Sequence, residues 1–276
     1  MNGDIAAACE AIVSQVHIPD YDVQGHLQSS EKLELVEFGI EHLRAFNPHA
    51  YIVMSGHGHR PRNLSLCDYA IWNDNQEPLN EHGYVVGMPA QFKYVSKALE
   101  HIRSKGYKYV LKTRGDCIIG IPNIGGHCRQ ILGKESRRLL LTQQTGPERM
   151  GDCFMYGETP LMCKIWSEDN PVFHADGLQN TAHHFRWALC KPIDDWRGLL
   201  KRTCAFRDVD LLKFACLRWN YRSLGLDESV RKQFMDPDFD FSLYHWGRAQ
   251  GWHYFDADRN MSGSGTIYWS QKEFYL

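Results

Sequence analysis

The chain has 276 residues, 43% of them hydrophobic and 12% aromatic, and a formal net charge of −2. That is enough to bury one large core or two small ones. A near-neutral balance with no basic stripe removes the electrostatic case for nucleic acid, and no run reaches the roughly 18 consecutive apolar residues of a membrane-spanning helix.

The opening stretch MNGDIAAACEAIVSQVHIPDY carries acidic residues and no basic leader, so it does not read as a secretory signal. Nine cysteines are scattered singly with no C-x-x-C pair, which disfavours a zinc ribbon or a thioredoxin-type site. Buried free thiols in a reducing compartment are expected, so the location expected is cytoplasmic or membrane-peripheral.

A first strand is expected between Tyr21 and Leu27. From Ser29 to Phe46, Leu33, Val36, Ile40 and Leu43 recur at helical spacing. Ser29 or Ser30 suits the cap, Glu31 and Glu34 the first turn, and Asn47-Pro48 the stop. AYIVMSG (Ala50 to Gly56) reads as a buried strand ending in a Gly-rich turn, and Cys67 to Asp74 as a second. Within that turn, His57 and His59 read as loop residues. Two histidines without a Cys or carboxylate partner at ligand spacing make no metal site. Pro89 opens the next helix, with Phe92, Val95, Leu99 and Ile102 as its stripe, and Gly106 stops it.

The strand that follows, YKYVLKTRGDCIIG (Tyr107 to Gly120), is the centre of the chain's chemistry. Its apolar run ends in Lys112, Arg114 and Asp116 before a second run, Ile118-Ile119. A buried strand presenting two cations and a carboxylate at its carboxyl end is how an α/β sheet builds a site. The alternative for Asp116 is a salt bridge to Arg114 or Lys112 that merely closes the strand end. Further strands are expected over Ser136 to Gln144 and Gly151 to Gly157, then a helix from Thr159-Pro160 through Trp166. Asp208 can cap a helix reaching Gly225. The tail from Phe239 is crowded with aromatics, which suit either an acceptor-sugar platform or core packing. Near its end, SGSGT (Ser262 to Thr266) suits a loop closing over a ligand. The order of elements implies a mainly parallel sheet covered by helices, in one domain over 1–276.

Taken together, the helix before NPHAYIVMSG, the strand ending in WNDN, the helix with Gln91, Ser96 and Leu99, YVLKTRGD and GDCFMYG resemble a known group. They are similar to GT-A-fold glycosyltransferases, and within them to the WavE-type lipopolysaccharide-synthesis and viral sugar transferases. The resemblance implies an α/β/α sandwich. Its nucleotide-sugar half would span about 20–125 and its acceptor half about 126–276. It also implies a nucleoside diphosphate sugar donor (a UDP-sugar favoured) bound across the strands' carboxyl ends, and a glycan or glycolipid acceptor. Donor contacts would come from Lys112, Arg114, Asp116, Asp74, Asn75 and Gln91. Most relatives use an Asp-x-Asp element holding Mn²⁺ or Mg²⁺; here Arg114 occupies the first acid position, leaving Asp116 as the metal ligand. The opposite arrangement, in which Lys112 and Arg114 neutralise the phosphates without a metal, stays open.

Such a transfer requires stabilisation of the leaving diphosphate and a carboxylate to take the acceptor's proton. The candidates for that base are Asp208 and Asp210 in FRDVDLL and Asp152 in GDCF, with Asp256 and Asp258 behind them. Inversion by single displacement is expected from the resemblance. The alternative is a nucleotide- or glycan-binding protein that keeps the sheet without the chemistry. A hydrolase or nucleotidyltransferase finds no support, since GxSxG, Walker-type and GxGxxG elements are all missing.

Overall fold

A computed structural model describes residues 10–18, 28–75, 87–132, 139–141, 144–145, 149–150, 154–167, 203–205, 213–216 and 226–239. Along the chain run β1 (Glu10–Ile18), α1 (Ser29–Phe46), β2 (Tyr51–Gly58), β3 (Tyr69–Asn73), α2 (Gly87–Ser104), β4 (Tyr109–Arg114) and β5 (Cys117–Ile119). Then follow α3 (Ile124–Leu132), β6 (Leu139–Leu141), β7 (Gln144–Thr145), β8 (Arg149–Met150), β9 (Met155–Glu158), α4 (Thr159–Ile165), β10 (Thr203–Ala205), β11 (Phe214–Cys216) and α5 (Glu228–Phe234). Seven strands form one sheet in the order β10-β6-β9-β4-β1-β2-β3. β9 runs against its neighbours β4 and β6, and the remaining pairings are parallel, so the expected mainly parallel sheet is what forms.

Strand alternation divides the apolar side chains between two layers. Val13, Val53, Val110 and Met155 pack against Phe92, Val95 and Leu99 of α2 and against Trp166 at the end of α4. On the opposite face, Ile12, Ile52 and Leu111 meet Leu43 of α1 and Ile124 and Cys128 of α3. Nearer the carboxyl ends, Val16, Ile18 and Met54 meet Val36 and Ile40 of α1. The result is the α/β/α sandwich expected for this class.

α1 has the bounds its periodicity predicts, but its cap is Gln28, whose backbone N–H donates to the Glu31 carboxylate at 2.6 Å. Glu31 thus reaches back to the backbone that Ser29 or Ser30 was expected to cap. Gly39 is where α1 comes closest to the sheet: a Cβ there would collide with the Gly115 carbonyl oxygen, so helix and turn meet backbone to backbone. β2 continues two residues past its expected end. Gly58 closes it at φ +90°, a conformation glycine adopts without strain, and His57 becomes a strand residue.

Two findings concern strands. β1, at Glu10–Ile18, lies between β4 and β2 in the sheet and was not expected from the sequence, while the segment expected at Tyr21 to Leu27 lies outside the described residues. Ser14, Gln15 and His17 interrupt its apolar run and disguise it. The helix expected from Asp208 to Gly225 does not form at 214–216. There Phe214, Ala215 and Cys216 pair antiparallel with Ile119, Ile118 and Cys117 of β5. The short β5 presents an open edge after the Gly115-Asp116 turn, and that edge takes up β11 as its partner.

Candidate functional site

The site is built by register. On the face covered by α2, Val13 lies opposite Val53 on β2 and Lys112 on β4. Two residues further along, Gln15 lies opposite Ser55 and Arg114. Two more bring His17 opposite His57, itself opposite Asn73 of β3. Three parallel strands therefore become polar towards their carboxyl ends, β4 from Lys112 at the level of Val13, and β1 and β2 two residues further on. Gln15, Ser55, His57, Lys112 and Asp116 are all buried, a dense set of polar groups for a layer otherwise made of aliphatic side chains.

Asp116 is fully buried and accepts both prongs of the Arg114 guanidinium, Nε to Oδ1 at 2.9 Å and an Nη to Oδ2 at 2.7 Å. The Cys117 thiol donates to the same Oδ1 at 3.8 Å. Such a fork is the strongest geometry available to a carboxylate and a guanidinium. Arg114 keeps 21% of its side chain exposed, so the pair has a deep acidic half and an accessible cationic half. Lys112 sits deeper, its Nζ 4.6 Å from the centre of the Trp166 ring, in a cation–π contact.

The rings of His17, His57 and Tyr94 form a stack from β1 through β2 to α2. Their centroids are 5.7 Å and 5.4 Å apart, with interplanar angles of 13° and 25°. Burial, then the nearby Lys32 and Arg114 cations, then His57, hold the His17 imidazole well below its ordinary range, against an opposing pull from Asp116. His17 is therefore neutral at pH 7. Lys32 itself, on the first turns of α1, is only 1% exposed. This end of the sheet thus holds the His17–His57 pair, acted on by the charges of Lys32, Arg114 and Asp116, beside a carboxylate already held by arginine.

Of the residues expected from the sequence, the structure gathers Lys112, Arg114 and Asp116 at this end, and Gln91 is half-buried on α2, one turn before Tyr94. Asp74 is exposed and faces Arg60 at 3.6 Å, while the Asn75 N–H donates to Asn73 Oδ1 at 3.1 Å, the local bond of a polar turn. Asp152, Asp208, Asp210, Asp256, Asp258, SGSGT and the aromatic tail beyond Phe239 lie outside the described residues.

Sequence reasoning missed Lys32, Gln15 and His17, and it placed His57 in a loop. A shared signal could have found three of them: V-x-Q-x-H, V-x-S-x-H and V-x-K-x-R run from Val13, Val53 and Val110, each an apolar residue followed by two polar ones at strand spacing.

The donor set does not fit a divalent cation held by Asp116. Both of its oxygens are engaged by the Arg114 guanidinium, and no group of three or more His, Cys, Asp or Glu among the described residues could hold a metal ion. Mg²⁺ demands near-octahedral oxygen ligands and Ca²⁺ six to eight of them.

A second buried carboxyl lies at the other end of β1. Glu10 accepts from the Tyr156 hydroxyl at 3.1 Å, and burial raises its pKa to about 7 against the lowering effects of that bond and of Arg129. Gly125 of α3 packs directly over this carboxylate, which closes the spot to any ligand.

No protein-family model and no curated protein matches the sequence. Among solved structures, a nucleotide-diphospho-sugar transferase from Desulfovibrio desulfuricans is 11% identical, with a TM-score of 0.44 over 82% of this chain and 98% of its own. A glucose-1-phosphate thymidylyltransferase from Bacillus anthracis is 9% identical, with a TM-score of 0.49 over 82% and 96%. A glycosyltransferase involved in glycosylating the major capsid of PBCV-1 is 10% identical, with a TM-score of 0.39 over 72% and 82%. Likenesses this distant leave the assignment to the site itself.

Proposed function

We propose that the chain is a glycosyltransferase of GT-A type that moves a sugar from a nucleoside diphosphate sugar, a UDP-sugar favoured, to a hydroxyl of a glycan or glycolipid. The observation that carries this reading is the row of polar residues that β1, β2 and β4 bring together towards their carboxyl ends. It supports Arg114 and His17 as the groups that receive an anionic ligand there. In the inverting reaction, the acceptor oxygen forms a bond to the anomeric carbon as the bond from that carbon to the diphosphate oxygen breaks. The diphosphate leaves with the electron pair, and the acceptor's proton passes to a carboxylate.

Strand direction favours Asp152 as that carboxylate. Because β9 is antiparallel, Met155 pairs with Lys112, so the chain enters β9 from the site end of the sheet. In β11 it is Cys216 that pairs with Cys117 beside Asp116, while Phe214, the residue nearer Asp208 and Asp210 in sequence, pairs with Ile119 further off.

Calorimetry with UDP-, GDP- and CMP-linked sugars, with product analysis for hydrolysis or transfer, tests the proposal. One donor should bind and turn over, and Asp152→Asn should lower turnover by about a hundredfold or more while binding persists. Silence from every donor would overturn it. The locked Arg114–Asp116 pair favours one second reading, a nucleotide- or glycan-binding protein without catalysis. Tight donor binding with neither hydrolysis nor transfer would identify that case.

A further inference from the structure

We infer that the donor's diphosphate is held by the protein's own Lys32, Arg114 and His17, with no divalent cation between phosphate and protein. This rests on the nucleotide-sugar reading above and departs from the Mn²⁺ or Mg²⁺ that the sequence resemblance implies.

Three observations lead there. The carboxylate on which a metal would depend is already spent. Asp116 is fully buried, and both of its oxygens lie within 2.9 Å of one guanidinium, so an ion would have to expel a bidentate arginine from a closed seat. In place of the first acid of an Asp-x-Asp element stands Arg114 itself, its side chain partly exposed beyond the pair. Asp116 thus orients the guanidinium, whose exposed part can meet a phosphate.

The second observation is Lys32. Lys32 is 1% exposed and lies two turns before Gly39 on the same face of α1, the face that meets the Gly115 turn, so its charge stands at the end of the sheet that holds Arg114. Its charge and that of Arg114 both act on the His17 imidazole. The third is the sign of the whole cluster. Among the described residues, the charged groups acting on His17 are two cations and one carboxylate. Adding Mn²⁺ there brings like charge to like charge, whereas a diphosphate brings the opposite sign, in a setting where charges are weakly screened. His17, partly exposed at the end of the ring stack, lies at the same strand level as the polar row and can donate a hydrogen bond to a phosphate oxygen.

Titration calorimetry on the full chain decides the matter, with UDP, GDP and CDP each run in EDTA and again in Mn²⁺. The expected result is one nucleotide binding in EDTA with a Kd within about threefold of its value in Mn²⁺, and competition by inorganic pyrophosphate in EDTA. Lys32→Met, which keeps the buried volume, should weaken that nucleotide at least about tenfold, and Lys32→Arg should restore most of the loss. Thermal shifts of the unaltered protein by nucleotide in EDTA give the same answer should Lys32→Met fold poorly. Binding that needs Mn²⁺, or tightens more than about tenfold with it, overturns this inference and leaves the transferase reading standing. Binding of no nucleotide in either condition overturns both.

Discussion

The two faces of the sheet diverge as the strands approach their carboxyl ends. On the α1 side, Ile12, Val16 and Ile18 on β1 and Ile52 and Met54 on β2 are apolar almost to the last residue, interrupted on β1 by Ser14, and are sealed by Val36 and Ile40. On the α2 side, the same strands turn to Gln15, His17, Ser55, His57 and Arg114. Since the backbone is shared, the difference lies wholly in which of two alternating residue sets was given polar chemistry. One face anchors the helix, and the other is left able to bind. A strand serving both purposes needs period-two alternation only over its last half, which is why β1 looks neither like a buried run nor like an amphipathic strand.

The largest test of that contrast is Arg114→Met. It strands the Asp116 carboxylate without its fork and should cost about 3–5 kcal/mol in urea unfolding. Arg114→Met combined with Asp116→Leu should recover most of the loss, because the buried charge goes with its partner. Met54→Ala, on the opposite face, should cost about 2–4 kcal/mol through the cavity it leaves, yet keep nucleotide Kd within about threefold. If it weakened binding as strongly as a change on the α2 side, the two faces would not be separable.

Gly39→Ala lies between these cases: the added methyl meets the Gly115 carbonyl, so about 1–3 kcal/mol of stability and part of the binding should be lost together. His17→Ala should leave the melting temperature nearly unchanged and weaken nucleotide about tenfold, as expected for one lost hydrogen bond to a charged group.

A separate test concerns the amino end of β1. Because the Glu10 pKa is raised to about 7 from an ordinary value near 4.5, the folded protein holds a proton there that the unfolded chain has released. Stability should therefore decline as pH rises from about 4.5 to about 7 and level off above that. Thermal melts of Glu10→Gln across the same range should lose this slope while keeping the Tyr156 contact.

Much of this architecture is visible in the residues alone. The stripe Leu33, Val36, Ile40, Leu43 gives α1 its bounds, and the charge burst after Val110-Leu111 marks where β4 delivers its side chains. β1 was hidden because this interior strand carries Gln15 and His17 on the α2 face, and Ser14 on the other, where an ordinary buried strand carries valine. His57 was hidden by its glycines, which suggest a turn, whereas Gly56 and Gly58 in fact allow close backbone approach at a strand end. The strand at 214–216 defeats any local reading, since the Leu211, Leu212, Ala215 and Trp219 spacing is helical and only the unpaired edge of β5 explains the strand. Lys32 carried no local signal at all. A lysine in the opening turns of a surface helix is ordinary until the tertiary fold turns it inward.

The bare contact between Gly39 and Gly115 has one more consequence. Helices ordinarily rest on sheets through side chains whose rotamers absorb small displacements, like a gasket. Here a helix backbone presses on a peptide oxygen with nothing compliant between, so a tilt of α1 reaches the Arg114–Asp116 clasp undamped. Lys32 rides on that same rod. On the proposed reading, capture of a nucleotide should therefore register as stiffening along the helix and at the Gly115 turn together.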